Sequence, residues 1–79
     1  MISTVGMILE ELERANGMYK PFSSPHEGYA VLLEEMDELW DEIKKKQPDK
    51  TRMLEEAIQI GAMAIKFIKS CCKEEARDD

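Results

Sequence analysis

The chain has 79 residues and a formal charge of -6, so it forms one domain at most, buries a limited share of its surface, and is expected to need a second copy to complete its core. The negative balance argues against nucleic-acid binding, which needs a basic face to displace counterions from phosphates, but leaves open a metal bridge to an anionic ligand. No apolar run approaches the roughly 20 residues that span a bilayer, and the opening MISTVGMILEEL lacks the basic flank and cleavage pattern of a signal peptide. A cytoplasmic protein with no membrane partner is expected. Cys71 and Cys72 are adjacent, too close to staple distant segments and too few for a structural zinc, and read as reduced bystanders.

Residues 1–79 are expected to form a single all-α domain of three helices, at about 4–16, 25–46 and 50–72. In the first, Val5, Ile8, Leu9, Leu12 and Ala15 recur at helical spacing, with Ser3 or Thr4 available as N-cap and Gly17 as terminator. The connector GMYKPFSS leads to SPHE, where Ser24 can cap, Pro25 suits the first helical position and Glu27 can reach back to complete a capping box. This second helix should run to about Lys46, where KKKQPDK ends it, because the residue before Pro48 disfavours helix and lysines complement a C-terminal dipole. A third helix follows from Asp49 to Thr51 onward, and the tail KEEARDD, without apolar partners, should fray.

The second helix carries six carboxylates in residues 34–42 and then three lysines. At about 100° per residue, Tyr29, Leu32, Leu33, Met36, Leu39, Trp40 and Ile43 fall in one arc. Glu27, Glu34, Glu38 and Asp41 lie opposite, flanked by Glu35 and Asp37. An amphipathic helix shows water such a charged face, and that is the plain interpretation. Two details resist it. Ala30 and Val31 lie on the acidic side, as if part of it were covered. Glu34 with Glu38, and Glu38 with Asp41 or Glu42, are like-charge pairs that destabilise a helix unless a cation intervenes, and hard divalent ions take such oxygen ligands. Tyr29 and Trp40, on the apolar arc, are expected in the core, and His26 reads as a helix-start residue and not a ligand.

In the third helix, residues from Met53 to Cys71 are apolar over more than half the wheel, more than one neighbour can bury. This helix is expected at the centre of an assembly, with residues 53 to 68 in the dimer interface. Glu56 and Gln59 sit at the edge of that arc, either as boundary residues or facing a crevice between helices, and Gly61, Ala62 and Ala64 allow close backbone approach.

SPHEGYAVLLEEMDELWDEIKKK followed by RMLEEAIQIGAMAIKFI resembles the MazG-like branch of the all-α nucleoside triphosphate pyrophosphohydrolases, over roughly residues 3 to 70. The family pattern is EExxE on one helix and ExxD on the next. Glu34, Glu35 and Glu38 match the first, and Glu56 opens the second. Gln59 stands where the family has Asp, which removes a negative charge and should weaken a second metal ion most. The resemblance implies hydrolysis of a (deoxy)nucleoside triphosphate to monophosphate and pyrophosphate with Mg²⁺ or Mn²⁺, in a homodimer or homotetramer of helical bundles. The chain is short for the family, so part of each site is expected from another subunit.

On that resemblance Glu35, Glu38 and Glu56 are metal ligands. Glu34 is a ligand or the base that positions water, so that Glu34, Glu35 and Glu38 form the catalytic group. Gln59 is a neutral substitute that binds metal through its carbonyl oxygen or holds a water. Lys20, Lys44, Lys50 and Lys66 are unranked candidates to meet phosphate. The alternative is a non-catalytic helical homo-oligomer, or a degenerate metal- or nucleotide-binding module.

Overall fold

Local hydrogen bonds decide where the helices begin and end. In the computed structural model, which describes residues 2–18 and 20–72, α1 spans Thr4–Met18, α2 Pro25–Ile43 and α3 Lys50–Phe67, with a π-helical turn over Ile68–Cys72. Ser3, not Thr4, caps α1, its Oγ accepting from the Gly6 N–H at 3.0 Å. Gly17 does not terminate this helix: α1 runs through it to Met18, and Gly17 does not adopt the positive φ of a left-handed cap.

The start of α2 follows the expected chemistry with one shift. Ser24 is extended and its Oγ accepts from the Glu27 N–H at 3.1 Å, with Pro25 opening the helix. Glu27 reaches back one residue further than a capping box does, accepting from the Ser23 N–H at 2.7 Å and the Ser23 hydroxyl at 3.1 Å. Those donors, the backbone N–H foremost, hold the Glu27 carboxyl below its ordinary value.

α2 stops at Ile43, short of the expected Lys46, because Glu42 turns into the α2–α3 connection. It is only 4% exposed and accepts from the Asp49 N–H at 2.9 Å and from Lys45 Nζ at 2.8 Å. Lys45 and the Asp49 N–H together lower its pKa. Asp49 in turn caps α3, its Oδ1 accepting from the Thr51 N–H at 2.8 Å. One carboxylate thus ties the end of α2 to the cap of α3.

α3 packs against both α1 and α2, which make little contact with each other. The core consists of Leu12, Ala15, Phe22, Ala62 and Met63, with Ile8, Val31, Leu32, Ile65, Phe67 and Cys71 packed against it. Two glycines set the helix spacing. A Cβ on Gly28 would lie 2.5 Å from the Phe67 ring, and one on Gly61 would lie 3.1 Å from Ile8. The connector before α2 is anchored by the Phe22 N–H, which donates to Ser70 Oγ at 3.2 Å.

The face of α2 that meets α3 differs from the expected apolar arc. Tyr29 is 64% and Trp40 56% exposed, and Leu33, Met36 and Ile43 are exposed as well, so the expectation that Tyr29 and Trp40 sit in the core is corrected. Within this chain α3 covers the strip of Gly28, Val31, Leu32, Glu35, Leu39 and Glu42, all buried or half-buried. That strip is centred roughly 110° around the helix from the exposed one. The rotation is held at both ends: the Phe67 ring packs where a Cβ on Gly28 would lie, and the Glu42 clasp holds the other terminus. Val31 is covered, as its position suggested, but Ala30 is exposed. On α3, Ala62, Met63 and Lys66 are buried, while Leu54 and Ala57 remain exposed, as does Ile68 at the start of the π-helical turn. Cys71 and Cys72 are free thiols. The expectation for the KEEARDD tail lies outside the described residues. Among those described, no helix is long and apolar enough to cross a membrane.

Candidate functional site

The antiparallel pairing of α2 with α3 brings together residues more than a dozen positions apart. Glu35 and Glu38, one turn apart on α2, meet Glu56 on α3, and one carboxylate oxygen from each lies within 4.8 Å of the others. Ligand oxygens around a Mg²⁺ ion sit about 3 to 4 Å apart, so these three are residues that could hold one ion if their side chains closed slightly.

The electrostatics fit a cation. Burial, first, and then a hydrogen bond to Glu38 and the charges of Glu38, Glu56 and Glu34 push the Glu35 carboxyl up to about 7. Glu56 is raised for the same kinds of reason, burial first and then Glu38. Oε1 of Glu56 is shut off from water and receives no hydrogen bond, a costly position for an ionised oxygen. A proton on Glu56 itself, whose pKa is raised, or a divalent ion relieves that cost.

Gln59 lies beside this cluster. With the amide nitrogen facing the carboxylate, the orientation its surroundings satisfy, it donates to both oxygens of Glu35 at 2.8 and 2.9 Å. These donors favour the ionised form and oppose the rise caused by burial. Where a carboxylate at position 59 would add a ligand, the amide holds Glu35 in place. Glu34 is exposed and does not join the three clustered groups, though it lines the adjoining cleft.

That cleft, between α1 and the α2–α3 pair, has a volume of about 720 Å³, in the range that holds small ligands. Glu35 belongs to both the carboxylate cluster and the cleft wall. Phe22, Val31 and Met63 give the wall apolar surface, and Arg14, Lys20 and Lys66 give it positive charge. Arg14 is engaged with Glu11. Lys66, 6% exposed, places its Nζ 4.6 Å from the centre of the Phe22 ring. Of the other lysines considered from sequence, Lys44 pairs with Asp41 at 3.2 Å and Lys50 is exposed at the start of α3; neither lines this cleft. His26 is exposed and not among the clustered groups.

Sequence reasoning missed Arg14 and Phe22 on the cleft wall. Arg14 presents itself only as the i+3 partner of Glu11, and Phe22 lies in a connector without periodicity, so neither carried a local signal. No protein-family model, no curated protein and no solved structure matches this chain.

Proposed function

We propose that the chain is a metal-dependent nucleoside triphosphate pyrophosphohydrolase of the MazG-like all-α type, which converts a (deoxy)nucleoside triphosphate to monophosphate and pyrophosphate as a homodimer or homotetramer. The observation that carries this reading is the convergence of Glu35, Glu38 and Glu56 within 4.8 Å, at the wall of a cleft that also carries cations. Glu35, Glu38 and Glu56 would hold Mg²⁺ or Mn²⁺. The chemistry such an ion supplies when bound is neutralisation of phosphate oxygens and a lowered pKa for bound water.

The chain's own residues do the rest. Glu34 lines the cleft wall next to Glu35 but outside the cluster; in this reading it would serve as a further ligand or accept the attacking water's proton. Lys20, Arg14 and Lys66 offset the charge of a polyanion. Phe22, Val31 and Met63 exclude water from one side of it. Gln59 orients Glu35 through its two N–H donors.

Gln59 also favours a second reading, a degenerate metal or nucleotide binder, because its neutral amide brings no fourth carboxylate to the site and so weakens a second metal ion most. Incubation of the protein with a panel of ribo- and deoxynucleoside triphosphates and Mg²⁺, followed by phosphorus NMR, separates the two. Pyrophosphate and monophosphate are the expected products, and Glu38→Gln should reduce turnover by about two orders of magnitude or more. Asp41→Asn, outside the cluster, should retain it. A parent that binds Mn²⁺ without turnover is the degenerate binder, and orthophosphate plus diphosphate means a different enzyme.

A further inference from the structure

α2 leaves an ordered apolar strip uncovered. Tyr29, Leu33, Met36, Trp40 and Ile43 are all exposed, and their spacing of four, three, four and three residues is the seven-residue repeat of a helix–helix seam. Scattered surface hydrophobics need no partner, but a contiguous line along one helix does. From their fractional exposures, these five side chains present roughly 550 Å² per copy. Two copies pairing through them would bury at most roughly 1,100 Å² from these side chains, and with the rim residues of both helices the contact is of the order of the approximately 1,000 Å² that a specific interface needs.

The chemistry of the rest of the helix selects the occupant. A membrane-surface helix sets basic residues on its polar face, whereas residues 34–42 carry six carboxylates that an anionic bilayer repels. A single-helix heptad seam is complementary to itself, and two-fold pairing brings identical patches together. The buried hydrophobic core also consists of just five described residues, so a chain of this length gains from a second copy.

We propose that a second copy of this chain docks on α2 along Tyr29, Leu33, Met36, Trp40 and Ile43, helix against helix across a two-fold axis. On this proposal the primary contact is the α2 seam, whereas the sequence pattern pointed to residues 53 to 68. The seam specifies the surface for the self-association in the reading above and does not depend on the pyrophosphohydrolase chemistry. Glu38 projects about 180° away from the seam around α2, so pairing leaves the carboxylate cluster open to ligand.

Trp40 is the chain's single tryptophan and reports on the contact without any substitution. Sedimentation equilibrium of the full chain should give the mass of two copies at about 100 µM, with Trp40 emission shifted to the blue there and to the red on dilution. Met36→Glu should weaken association about 100-fold or more with helical content retained. A monomer at that concentration overturns the proposal, including a monomer that binds anionic vesicles or an unrelated protein. So does a dimer in which Trp40 emission remains that of water-exposed indole, or whose mass survives Met36→Glu. The Trp40 reading is decisive even for a Met36→Glu chain that does not fold, because it uses the unaltered protein. Loss of pyrophosphate release in a chain that still pairs this way would count against the enzymatic reading alone.

Discussion

Glu35 shows how one side chain can be shaped by three neighbours of its own charge. Its raised pKa, about 7, means that the folded state binds the Glu35 proton more tightly than the unfolded chain does. The stability linked to it is therefore fully present below the unfolded value of about 4.5 and is lost as pH rises through about 7. Glu56, also raised, acts in the same direction. Metal-free protein should accordingly show a falling Tm between about pH 5 and 7.5, and Glu35→Gln should flatten that slope; a Tm that rises across this window in both proteins would contradict the burial of the carboxyl. Glu27 and Glu42, whose pKa values are lowered, act in the opposite sense. Their stabilisation is present above about 4.5 and disappears as the medium becomes more acid than their folded values. Gln59→Asp exchanges two N–H donors to Glu35 for a fourth carboxylate. Isothermal titration should show tighter Mn²⁺ binding, by about tenfold, together with a lower metal-free Tm from added repulsion. Unchanged affinity would mean that position 59 does not reach the ion.

At the scale of elements, the contact between α2 and α3 decides which face of α2 is inside. Gly28 provides the close approach at one end, where the Phe67 ring occupies the place of a Cβ. Gly28→Ala should cost about 1–3 kcal/mol in chemical denaturation despite the better helix propensity of alanine, and a stabilised variant would show that the ring simply moves aside. At the other end the Glu42 clasp joins the last turn of α2 to the Asp49 cap. The cap at Ser24 is the more ordinary device, and Ser24→Ala should cost about 1 kcal/mol. Between these fixed ends Glu35 and Glu38 are held opposite Glu56 and Gln59, so the same rotation that exposes Trp40 draws the carboxylates together.

For the whole molecule, the balance lies between a small core and a charged cluster that opposes folding. A divalent ion that binds the native cluster and not the unfolded chain stabilises by linkage, about 2.7 kcal/mol when present at 100 times its Kd. Millimolar Mg²⁺ or Mn²⁺ should raise Tm beyond a salt control of equal ionic strength, and Glu38→Gln should abolish that gain. A response equal to the salt control would leave the cluster a solvated edge of an acidic helix. The gain should grow as pH rises through about 7, where Glu35 of the metal-free protein loses its proton and adds its charge to the cluster.

Helices, caps and the acidic register were legible in the linear chain because each depends on residues within a few positions. Ser24, Pro25 and Glu27 announce a helix start through local hydrogen bonding, and Pro48 with Asp49 marks a break. Of the residues expected at the site, Glu34, Glu35, Glu38, Glu56 and Gln59, the carboxylates of Glu35, Glu38 and Glu56 converge in the structure and that of Glu34 stays outside the cluster. Periodicity, however, describes how a helix is divided without saying which neighbour covers which sector. The tertiary structure decided that α3 sits on Gly28, Val31, Leu32 and Glu35, because a missing Cβ admits Phe67 and a carboxylate reaches across to the Asp49 N–H. It also decided that the Gln59 amide lies against the Glu35 carboxylate and that the connector's Phe22 ring sits beside Lys66. Such contacts join residues far apart in the chain, and their free energy exists only once the helices have packed.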